Sequence, residues 1–235
     1  MHVFRSIVLA AALAGVIVGA LISVVQLFGT VPLIQQSEIY EKATASAQHE
    51  ASHARSAEAG HGHDAEWEPE EGFQRNALTV VANILTAIGF GLLLTGIYAL
   101  RQRPVDWREG LFWGLSGFAV FVAAPGLGLP PELPGLPVAD LSSRQIWWIA
   151  TAVLTASALY FLILRTEPWA AVLGLTLAFL PHLVGAPVAP EAHTEVPDTL
   201  SRHFVVVVVA TGLLFWSLLG VATSLAFERT SRRPS

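Results

Sequence analysis

Histidines and carboxylates supply the chemistry in this chain, and they are bunched. The stretch AGHGHDAEWEPEE, residues 59–71, holds His61 and His63 one residue apart, then Asp64, then Glu66, Glu68, Glu70 and Glu71. Upstream, His49 and His53 are four residues apart, so on a helix they share one face and can grip one ion. Imidazole nitrogen and carboxylate oxygen without thiolate suit borderline divalent cations such as Co²⁺, Ni²⁺, Zn²⁺ and Cu²⁺. The chain has no cysteine, which removes disulfides, thiolate metal sites and thiol catalysis. Affinity order favours copper over cobalt, so ligand type alone names no metal. Gly60 ends any helix through His53 and leaves GHGHD a flexible strip, suited to capture rather than catalysis. The plainer reading is a solvated acidic loop whose histidines hold nothing specific, since His-rich tracts bind metals promiscuously.

Two further places could touch an ion. PGLGLPPELPGLPVADLSSRQIWW, residues 125–148, packs five prolines between Pro125 and Pro137, with Glu132, Asp140 and Arg144 following closely. Such a run opposes regular helix. At membrane depth irregular backbone survives only where protein or water covers it, so the segment is either re-entrant, with Glu132 or Asp140 on a path, or an outer loop. In the second case Trp147 and Trp148 sit in the interfacial aromatic belt. FLPHLVGAP, residues 179–187, sets His182 directly after Pro181. An ionisable side chain within a span is a functional candidate, although a histidine near an interface also serves as a hydrogen-bonded packing residue. Gln26 and Asn83 lie in apolar runs and are expected to bridge helices. Gly15 and Gly19 form a GxxxG pair that permits close helix approach.

The elements that must position these groups are membrane spans. The chain of 235 residues is 53% hydrophobic and 13% charged, about half the charge of an ordinary soluble domain. Six uncharged stretches separate the charges: 6–37, 76–100, 110–131, 145–164, 168–190 and 203–227, the shortest of 20 residues. A helix of about 20 residues crosses the roughly 30 Å hydrocarbon core. The runs lack the in-out alternation of barrel strands, so helices are expected. The expected fold is an all-α bundle of about six transmembrane helices: 6–29, 77–100, 110–124, 146–164, 168–185 and 203–227. Residues 37–75 form an outer His- and acid-rich loop with a helical start, 125–145 the proline-rich loop, and 186–202 a last outer loop. The helical start continues the first span, with a kink expected at Pro32. If only five helices cross, the Gly- and Pro-rich third run is the one to drop. The first run is too long for the apolar region of a signal peptide and is read as an uncleaved helix.

Orientation follows the cations of short loops. With the N-terminus inside, eight arginines are cytoplasmic and five cations are outside, spread over longer loops. Four carboxylates join the eight, leaving the inner side +4; fourteen join the five, leaving the outer side −9, which together give the chain's −5. Both termini are then cytoplasmic. Seven of eight histidines fall on the outer side: His49, His53, His61, His63, His182, His193 and His203, with only His2 inside. There is no GxxxxGK[ST], HExxH or GxSxG signature and no evident internal repeat, so nucleotide-driven, protease and esterase functions recede, and no catalytic residue is assigned. No enzyme activity, nucleic-acid partner or permanently bound cofactor is expected.

EWEPEEGFQR (66–75), APGLGLPPELPG (124–135), RQIWW (144–148) and LPHLVGAP (180–187) resemble the CbtA proteins, proposed cobalt transporter subunits. QLFGTVPLIQQSEIYE (26–41) is similar to their first helix and its exit. The resemblance spans nearly the whole chain. It implies a multi-pass protein of a prokaryotic inner membrane, cobalt uptake linked to cobalamin synthesis, and a small single-span, His-rich CbtB-type partner. It transfers no established site residues. The expected function is uptake of a divalent cation, Co²⁺ ahead of Ni²⁺ or Zn²⁺, captured at the outer loop and passed between helices. The expected metal-handling residues are His49, His53, His61, His63, Asp64, Glu132, Asp140, His182 and His193. A metal-binding receptor or assembly factor without transport is the alternative. A third reading is a haem-binding subunit with His182 and His203 as axial ligands.

Overall fold

The computed structural model describes the backbone at residues 2–53, 72–191 and 194–231, and side chains over the same residues apart from 2 and 44–53. Among these the chain is helical, with no strand. The helices are α1 (His2–Phe28), α2 (Thr30–His53), α3 (Phe73–Arg101), α4 (Trp107–Phe118), a π-helical turn (Ala119–Ala123), α5 (Ala124–Gly128), α6 (Leu141–Leu164), α7 (Pro168–Val184) and α8 (Asp198–Ser231). Five stretches are long and apolar enough to cross a membrane: Val3–Phe28, Phe73–Arg101, Trp107–Gly128, Leu141–Leu164 and Asp198–Ser231.

The short apolar helix is α7, not the Gly- and Pro-rich third run. Pro168 opens α7 at a position where a missing N–H costs nothing, and Gly185 closes it with φ 88°. Its 17 residues reach about 26 Å, less than the hydrocarbon thickness. The third run instead carries helix through Pro125 to Gly128. A proline ring ordinarily collides with the carbonyl four residues earlier. Here the turn just before it is widened, and the Ala124 N–H donates to the Ala119 carbonyl, five residues back, which makes room for the ring.

The first helix also bends at a different residue from the one expected. The break between α1 and α2 falls at Gly29. Pro32 is the third residue of α2, where its absent N–H would have had no partner within the helix.

Small residues set the packing, as expected where lipid removes the hydrophobic drive between helices. A side chain at Gly15 or Gly19 of α1 would strike the backbone of Ile88 or Ile84 of α3. In a second close contact Gly110 and Gly114 of α4 lie against Gly220 of α8, and Gly117 receives the Trp216 ring. Val18, Leu94, Tyr98, Trp216 and Leu219 fill the core between these contacts. The Tyr98 hydroxyl pairs there with Thr223 Oγ1 at 3.3 Å. Helices α6 and α7 form a side hairpin, joined to the rest through the π turn and α5.

The proline-rich segment is neither helix nor free loop. Leu133 is 3% exposed and packs with Leu33, Val196, Leu200 and Phe204 in a second apolar cluster. Ser37 Oγ donates to the Pro134 carbonyl at 2.6 Å and Thr194 Oγ1 to the Gly135 carbonyl at 2.9 Å. These contacts fold the segment across α2 and the start of α8, the outer end by the arginine count.

Candidate functional site

Polar groups at the end of the bundle that carries the proline-rich segment border the cavities that follow. The first, of about 520 Å³, is lined by Gly128, Pro130, Glu132, Trp147, His182 and Pro187. Pro181, buried inside α7, precedes His182, whose ring stands edge-on to Trp147 with centroids 6.0 Å apart. His182 therefore does two things the sequence left as alternatives: it packs on an aromatic ring, and it borders a cavity with a carboxylate.

Glu132 belongs to a second cavity as well, of about 720 Å³, together with Arg144, Gln145 and Trp148. Its charge is compensated. Arg144, in the first turn of α6, donates to Glu132 Oε2 at 2.6 Å. Asp140 borders neither cavity. It caps α6, accepting from Ser142 Oγ at 2.6 Å, the Ser143 N–H at 3.0 Å and Ser143 Oγ at 3.1 Å. The Ser142 hydroxyl first, and then Ser143, hold its carboxyl below the ordinary carboxylate range.

The third cavity, of about 680 Å³, opens among α1, α2, α3 and α8. One wall is apolar, with Phe204, Val208 and Phe215; the other carries Gln26, Thr30, Thr79 and Asn83. At the mouth Arg75 donates to Glu38 at 3.0 Å, joining α3 to α2. The floor is aromatic: Phe121 stacks on Trp216 with centroids 5.5 Å apart, and Phe90 lies 4.7 Å from Trp216. Asn83 Nδ2 donates to Gln26 Oε1 at 2.6 Å and to Ser23 Oγ at 3.0 Å. The expected bridging role is thus seen, and the same side chains also line a cavity, which the sequence did not disclose. The only signal available was two carboxamides inside apolar runs.

Of the expected metal-handling residues the fold brings together Glu132 and His182. His49 and His53 lie on the backbone of α2. His61, His63, Asp64 and His193 lie outside the described residues. Among the described residues no three His, Asp or Glu side chains are grouped so as to hold a metal ion.

The CbtA family model, described as a probable cobalt transporter subunit, matches residues 4–228. No curated protein and no solved structure matches the chain. The chain belongs to the CbtA family, and is a multi-pass membrane protein of a cobalt-transporter subunit family.

Proposed function

We propose that this CbtA-family chain takes up Co²⁺ across a prokaryotic inner membrane. The cation is gathered by the His- and carboxylate-rich outer loop and passed between the helices together with a small CbtB-type subunit. On this reading the chain carries an ion and catalyses no covalent step, and its cargo supplies cobalamin synthesis. A hydrated divalent cation cannot enter hydrocarbon, so polar surface must accompany it. One observation carries the reading. The three outer cavities share lining residues, Glu132 between the first and second and Phe121, Val122 and Trp148 between the second and third. Membrane potential suffices as a driving force, at about 2.3 kcal/mol per elementary charge per 100 mV.

Flux into liposomes holding a cobalt-quenched dye tests this, with the chain alone and with a His-rich single-span subunit. Protein-dependent quenching is expected. Binding at the outer face with no flux from either preparation would overturn it in favour of a receptor or assembly factor. A specific feature supports that second reading: beneath the aromatic floor the described core is closed by Leu94, Tyr98 and Leu219.

A further inference from the structure

We infer that Asn83, with Gln26 and Ser23, forms an intramembrane station for a hydrated divalent cation midway down the third cavity, between Arg75 at its mouth and Phe90 at its floor. The inference deepens the uptake reading and rests on it for the nature of the ligand.

Depth comes first. Asn83 is seven residues inside the uncharged run that begins at Asn76, about 10 Å along the helix axis. That is roughly a third of the way through a 30 Å hydrocarbon core. A carboxamide there is costly unless its donors and acceptors are used.

Hydrogen-bond accounting then orients it. The Ser23 hydroxyl donates to the Gly19 carbonyl at 2.8 Å, so towards Asn83 Ser23 can only accept. The two N–H groups of Asn83 go to Ser23 Oγ and Gln26 Oε1. A primary amide has two donors and an oxygen with two lone pairs. Both donors are spent, which leaves Asn83 Oδ1 as the group able to serve a ligand in the cavity it lines. In this arrangement Gln26 presents its oxygen to Asn83, which keeps the Asn83 NH2 directed at Gln26 and Ser23. A helix bridge needs one such bond; this arrangement spends both donors and leaves the acceptor with no hydrogen-bond partner among the described residues. Acceptors receive hydrogen bonds from the water shell of a cation, or replace one of its waters.

Size agrees. Six waters at about 30 Å³ each occupy about 180 Å³, well within the 680 Å³ cavity. The stacked Phe121 and Trp216 close the floor, so a cation arriving from outside is held within a cavity whose wall carries Asn83.

The test uses the full chain in which His49, His53, His61 and His63 are alanine, so that the imidazoles of the loop contribute nothing. Co²⁺ is titrated into the purified protein by calorimetry and its uptake measured in liposomes. Asn83→Leu is expected to weaken the remaining binding and to cut the maximum uptake rate, each at least tenfold. Asn83→Asp loses the same two donor bonds but keeps oxygen acceptors and adds charge. It is expected to bind Co²⁺ at least tenfold more tightly and to release it slowly. Damage to the fold alone would impair Asn83→Asp as much as Asn83→Leu, and that equality would overturn the station. Unchanged uptake by Asn83→Leu would overturn it while leaving the transport reading intact. Asn83-dependent binding with no flux from the unsubstituted protein would sustain the station and sink transport.

Discussion

Arg144 reaches back twelve residues across the proline-rich segment and sets its guanidinium 2.6 Å from the Glu132 carboxylate, at the boundary between two cavities. The contact ties an irregular segment to the first turn of α6, and it neutralises the one described carboxylate that shares a cavity with His182. Glu132→Arg and Arg144→Glu should each lower the melting temperature in detergent, and the exchanged pair should recover it. Uptake at low Co²⁺ should stay impaired in the exchange, because the carboxylate has left the His182 cavity. Full recovery of uptake would reduce Glu132 to a structural partner.

Capture and passage should separate kinetically. Changing His49, His53, His61 and His63 to alanine is expected to raise the Co²⁺ concentration for half-maximal uptake several-fold and to leave the saturated rate intact. His182→Ala should lower the saturated rate. His182→Phe keeps the edge-on packing against Trp147 but offers no nitrogen. If it transports normally, His182 is a packing residue.

Two glycines should respond with opposite sign. An alanine methyl at Gly114 would overlap the Trp216 carbonyl, and such overpacking costs about 1–3 kcal/mol. Gly89 faces open space within α3, where alanine gains about 0.5–1 kcal/mol over glycine. Thermal unfolding of Gly114→Ala and Gly89→Ala should therefore move to opposite sides of the parent. A shift in the same direction would contradict the close α4–α8 contact.

Asp140 offers a pH test. Its serine hydrogen bonds hold the folded carboxyl below its ordinary value of 3.8. A depressed carboxyl contributes stability that is fully present above the unfolded pKa and is lost as pH falls through the folded one. The stability difference between the parent and Asp140→Asn should thus stay level from pH 7 to about 5 and shrink below about 4. As a cap, Asp140 should be replaceable by Asn at pH 7 with uptake retained. Lost uptake in a stable Asp140→Asn protein would return it to the cation path.

Sidedness is directly measurable because the chain has no cysteine. A cysteine introduced at Ala59 should react with an impermeant maleimide from outside the cell, and one at Ser231 only after the membrane is opened. The reverse pattern would invert the capture scheme.

Charge-free runs of 20 residues or more were enough to announce an α-helical membrane protein, since hydrocarbon forces the backbone to satisfy itself within each segment. Motifs from residue 26 to residue 187 were enough to suggest the CbtA family, because such signatures are local in the chain. Gly15 and Gly19 likewise declared a close helix contact, because the only signal required was two small residues one turn apart.

Tertiary structure decided what depends on partners far away in sequence. It kept the third run as a candidate span and made α7 the shorter apolar helix, because a π turn accommodates Pro125 and the end of α7 is set by Gly185. It separated Asp140, a cap, from Glu132, a cavity group, although they stand only eight positions apart in one loop. It also set Asn83 on the wall of a cavity with both donors used, since the two bonds to that side chain come from Ser23 and Gln26, on a helix about sixty residues earlier. A sequence records which donors and acceptors exist; only the packed helices determine which of them remain unspent.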